Sequence, residues 1–141
     1  MKSAGYVVRD LCGLARAVYI PGAERRLTLQ VIGPLTSHGP INAIYDSTDG
    51  FIGGTPILLQ FPDEVLIPVF AHEYAHKCRG DMNAPLTLDE ILAKEIRTDA
   101  LASSWVGRRQ MRDALRYVRR IVEPLGGGCD HLDTRCALLV P

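Results

Sequence analysis

Residues 70 to 78 read FAHEYAHKC, with His72 and His76 four positions apart and Glu73 directly after the first histidine. Positions four apart lie on one face of an α-helix about one turn from each other, so a helix here directs both imidazoles at a common point. The same helix puts the Glu73 carboxylate beside that point, where a base must be to take a proton from a water held by a metal. This is the His-Glu-x-x-His pattern of zinc sites. The plainer alternative is an amphipathic helix that carries two imidazoles and no metal.

A catalytic zinc takes three protein ligands and keeps one position open. The segment KEIRTDALA supplies Glu95, nineteen residues after His76, with Asp99 one helical turn further on. Like charges at this spacing are mildly destabilising on a bare helix. A cation beside them removes that cost, and Asp99 can accept the free N–H of a ligating histidine and so fix its tautomer.

HEYAH at 72–76 and EIRTD at 95–99 resemble the motif pair of the gluzincin metallopeptidases, as in thermolysin-like enzymes. The resemblance implies a zinc ion held by His72, His76 and Glu95, Glu73 as general base, and Asp99 behind a ligating histidine. The plan of strands followed by the motif helix and EIRTDALASSW is most similar to compact ImmA/IrrE-type peptidases, over roughly residues 26 to 106. It implies a zincin-like α+β fold, with a short mostly antiparallel sheet packed on the HExxH helix and flanked by helices. No helix-turn-helix segment is evident. Thermolysin-like enzymes also place a tyrosine or histidine against the oxyanion. None lies between His76 and Glu95, which leaves His131, Tyr45 and Tyr117 as candidates.

The local patterns divide the chain into elements. Val7, Leu11, Leu14, Ala15 and Val18 recur at helical spacing and predict a helix over about 3–19, closed by Pro21-Gly22. LTLQVIG, INAIYD and TPILLQ, separated by Gly, Pro, Asp and Ser, predict three strands. Pro68 fits a first helical turn, so the motif helix is expected from about Ile67 to Arg79, ended by Gly80. Thr87 and Glu90 form a capping-box pattern opening a helix to about Val106, and another helix follows from about Arg109 to Val122. The tail is expected to be irregular. Its Cys129, His131 and Cys136 match no common zinc-finger spacing.

The 141 residues fit one domain spanning 1–141, and 47% apolar with 23% charged residues is the balance of a folded globular chain. Sixteen basic and sixteen acidic residues give no overall bias towards nucleic acid or membrane, and no apolar run approaches the roughly 20 residues of a membrane helix. Arg9, Asp10 and Arg16 interrupt any secretory signal, so a cytoplasmic protein with free thiols is expected. Arg108, Arg109, Arg112, Arg116, Arg119 and Arg120 share one arc of the last predicted helix. That face is either a solvated surface or a dock for an acidic partner.

The expected function is zinc-dependent hydrolysis of one or a few protein targets, the substrate laid along Ile41–Asp46 or Thr55–Gln60 by strand addition. The alternatives are a non-catalytic, zinc-stabilised interaction module using the arginine-rich helix, and a metal-free helical protein.

Overall fold

The computed structural model describes residues 6–9, 16–23, 25–31, 43–46, 51–54, 58, 60–80, 86–125 and 130–139. Three long helices dominate: α1 (Asp63–Cys78), α2 (Leu88–Val106) and α3 (Arg108–Val122), with a short α4 (Asp130–Leu138) closing against α2 and α3.

α1 is the central helix. It packs on α2 and α3, and Val65, Leu66, Ile67, Phe70, Ala71 and Ala75 are buried on it. Asp63 and Glu64 in its first turn face the positive end of the helix dipole. The helix starts four residues before the expected Ile67, which makes Pro68 an interior proline. Pro68 has no N–H to give the carbonyl four residues back, a local loss tolerated because the surrounding apolar residues are fully packed.

α2 begins as expected. The Thr87 hydroxyl accepts from the Glu90 N–H, and the Glu90 carboxylate accepts from the Thr87 N–H, so two otherwise unpaired donors are satisfied reciprocally. Gly107, with φ of 95°, separates α2 from α3; a side chain is disfavoured in that backbone conformation, and the chain changes direction there within one residue. α3 buries Met111, Ala114 and Leu115.

The expected α+β class, with a short mostly antiparallel sheet on the motif helix, is corrected. Where side chains are described, 84% of the region is helical, so the packed body is mostly helical. The physical reason lies in the core. Of its buried apolar residues among those described, Val18, Ile20 and Leu27 are the ones on strands; the rest come from the helices and their flanking turns.

The backbone also traces β1 (Tyr6–Arg9), β2 (Arg16–Ile20), β3 (Arg25–Val31), β4 (Ala43–Asp46) and β5 (Phe51–Gly54). They run in the order β1-β2-β3-β5-β4, antiparallel except for the parallel β3–β5 pair. The helix expected over 3–19 is replaced by β1 and β2, and the strand expected at TPILLQ is not formed at Leu58 and Gln60, which lie in tight helical turns. Residues 55–57 and 59 lie outside the described residues. A 3-10 turn at Pro21–Ala23 brings Gly22 so close to α2 that a Cβ there would sit 3.1 Å from the Trp105 backbone. Trp105 also stacks on Tyr74 of α1, with ring centroids 5.6 Å apart.

Candidate metal centre

α1 and α2 pack side by side and bring His72, His76 and Glu95 together, one ligand atom of each lying within 4.8 Å of the others. The two Nε2 atoms are 3.1 Å apart. Glu95 Oε2 is 2.9 Å from His72 Nε2, and its Oε1 is 3.2 Å from His76 Nε2. Four ligands at zinc bond lengths of about 2.0–2.1 Å in tetrahedral array stand about 3.3–3.4 Å from one another. The three donors therefore sit at nearly that spacing before any adjustment.

The hydrogen bonds around the rings test whether this seat suits a cation. His72 Nδ1 lies 2.9 Å from Asp99 Oδ1, and a carboxylate can only accept, so the Nδ1–H donates and Nε2 is the nitrogen left to face His76 and Glu95. His76 Nδ1 faces the Thr98 hydroxyl at 3.3 Å. The two Nε2 atoms and the Glu95 carboxylate thus converge on one point. Such a cluster is repulsive until a positive ion, metal or proton, lies between its members. The donor set fits a divalent metal.

Asp99 is 2% exposed. Besides His72 it takes both arms of Arg135 from α4, Nε to Oδ2 at 2.6 Å and Nη2 to Oδ1 at 2.8 Å. Arg135 Nη1 also stands 3.7 Å from Glu95 Oε2. Burial alone would raise the Asp99 and Glu95 pKa values, but Arg135 and the histidines outweigh it and hold both carboxyls below their ordinary range. For His72, burial favours the neutral ring, yet its bonds to Asp99 and Glu95 and the nearby Glu73 charge push its pKa up to about 9.

A pocket of about 240 Å³ opens beside the three donors. Glu73, Glu95, His72 and Arg135 form its polar side, and Phe61, Val69, Met111, Leu115, Val118 and Leu132 are among its apolar walls. Glu73 makes no hydrogen bond among the described residues. Burial raises its pKa against the pull of the two histidines. A second cavity, lined by Ser103, Arg108 and Leu139 among others, lies behind the Asp99–Arg135 pair.

All five residues singled out in the sequence, His72, Glu73, His76, Glu95 and Asp99, fall in this one place. The remaining candidates do not. Tyr117 turns its ring edge to Phe61, with centroids 5.3 Å apart, and neither Tyr117 nor His131 lines the pocket. The Tyr45 side chain and Cys129 lie outside what is described. Cys136 packs on α3, its thiol pointing at the Arg112 carbonyl. Among the described residues, His72, His76 and Glu95 form the one cluster suited to a metal.

Arg135 is the group that sequence reasoning missed. Its segment was expected to be irregular, and its partner stands 36 residues away. The basic face of α3 is also less open than the sequence implied, because Arg119 pairs with Asp133 at 2.5 Å and Glu123 at 2.9 Å. Arg108, Arg109, Arg116 and Arg120 remain exposed.

No protein-family model, curated protein or solved structure matches this chain. Among the described residues, no helix is long and apolar enough to cross a membrane.

Proposed function

We propose that the chain is a small cytosolic zinc endopeptidase of gluzincin type, with His72, His76 and Glu95 as ligands. The observation that carries this reading is the convergence of three lone-pair donors beside a pocket that also holds an unbonded carboxylate, Glu73. Zinc bound there supplies Lewis-acid polarisation of a carbonyl and brings the pKa of water to about 7.

The chain's own residues do the rest. Glu73, its pKa raised by burial, accepts a proton from the attacking water and hands it to the leaving amine nitrogen. Asp99 holds His72 in the ligating tautomer, and Arg135 holds Asp99. Arg135 is the cationic side chain lining the pocket, and its Nη1 is the arm not engaged with Asp99. It takes the carbonyl-binding role for which Tyr117 and His131, neither of which lines the pocket, are badly placed. The apolar walls suit a large hydrophobic side chain next to the scissile bond. β4, at the end of the strand order and against α1, offers a backbone edge for an extended substrate.

Replacing Glu73 with Gln tests the reading. The variant is expected to keep one zinc per chain by elemental analysis and to lose peptide cleavage by at least about a hundredfold. A variant that cleaves as fast as the parent removes Glu73 as base, and a parent without zinc removes the site.

A non-catalytic interaction module is the second reading. It is favoured by Arg116 and Arg120, exposed side chains with no carboxylate partner among the described residues. On that reading binding to polyglutamate weakens steeply with salt and is lost in the Arg116→Gln/Arg120→Gln double variant, while Glu73→Gln changes nothing.

A further inference from the structure

The Thr98 side chain is fully buried between α1 and α2, and its hydroxyl has three neighbours. The Lys94 carbonyl oxygen is 2.8 Å away, Arg79 Nη1 is 2.8 Å away, and His76 Nδ1 is 3.3 Å away. A threonine hydroxyl has one hydrogen and two lone pairs to distribute. A carbonyl can only accept, so the hydrogen goes to Lys94. A guanidinium can only donate, so Arg79 takes one lone pair. What remains to face His76 is the second lone pair, and the ring satisfies it only by carrying its hydrogen on Nδ1.

We propose that Thr98, saturated by Arg79 and Lys94, is a positioning residue that holds His76 with Nδ1 protonated and Nε2 free to bind the metal. The inference rests on the metal-centre reading above and adds a fixed partner for the second histidine. Arg79 caps the end of α1 and reaches Lys94 O at 3.3 Å as well, so the same contacts that set the ring also tie the end of the motif helix to the turn of α2 that carries Glu95. The two ligands are therefore held unequally. His72 donates to an ionised carboxylate that is itself clamped by an arginine, and His76 donates to a neutral hydroxyl. A charge-assisted bond is roughly twice as strong as a neutral one, so the Thr98 contact is the weaker of the two.

Thr98→Val keeps the shape and removes the hydroxyl; Thr98→Ser keeps the hydroxyl and removes a methyl. Zinc affinity, measured by chelator competition, is expected to fall about 10- to 100-fold in Thr98→Val and to stay within about threefold of the parent in Thr98→Ser. The visible absorption bands of the cobalt-loaded protein should shift in the valine variant alone. Long-range proton–nitrogen NMR of the zinc-loaded parent gives a reading that needs no variant: His76 should show hydrogen on Nδ1 and metal on Nε2. Parent-like affinity in Thr98→Val, an equal loss in Thr98→Ser, or metal on His76 Nδ1 each overturns the proposal while leaving the metal centre standing. A parent chain that binds neither zinc nor cobalt overturns the metal centre itself.

Discussion

Around His72, burial and three carboxylates pull in opposite directions, and the carboxylates prevail. A folded-state pKa of about 9 against an ordinary 6.5 means that metal-free protein gains stability from the protonated ring below pH 6.5 and loses it as pH rises through about 9. Glu95 and Asp99 are depressed below their ordinary 4.5 and 3.8, so their contribution is present above those values and disappears as pH falls further. Melting curves in chelator are therefore expected to peak between about pH 4.5 and 6.5 and to decline on both sides. With zinc added, the alkaline decline should vanish, because the metal binds the neutral ring. Arg135 and Asp99 form a buried pair, with side-chain exposures of 12% and 3%. Arg135→Met leaves the carboxylate without its partner and should destabilise the fold by about 3 kcal/mol in urea titration. The three converging donors could be read from the sequence because His72/His76 and Glu95/Asp99 each repeat at one helical turn. Arg135 could not, since nothing within its own segment reports a contact 36 residues away.

The elements that local chemistry specifies are the ones the sequence revealed. Thr87 and Glu90 announce the start of α2 through their own side chains, and Gly107 marks its end by a backbone conformation few other residues adopt. Thr87→Ala removes one half of the reciprocal cap and should cost about 1 kcal/mol, read as a lower melting temperature with an unchanged metal content. The failures are elements whose state is decided by what they pack against. Val7 and Val18 fit a helical period, but they pair with each other across β1 and β2 instead. α4 has nine residues, too few to be helical alone, and it docks through Arg119–Asp133 and Arg135–Asp99. The same applies to the fold class: strand-like stretches were legible between residues 26 and 60, whereas their small share of the core among the described residues was not.

Across the molecule, the candidate metal seat belongs to no single helix. α1 gives two donors, α2 the third, and α4 the arginine that clamps the carboxylate behind them, so helix packing and the site stand or fall together. The pocket extends that dependence, its walls coming from α1, α3 and α4. With His72 and His76 nitrogens 3.1 Å apart and Glu95 closing the triangle, a hydrogen ion on His72 can stand in for a metal among the three donors. On the proposed reading, loading would exchange one cation for another: zinc entering at neutral pH would expel acid into the solvent, and a weakly buffered solution of the protein would sour as it fills.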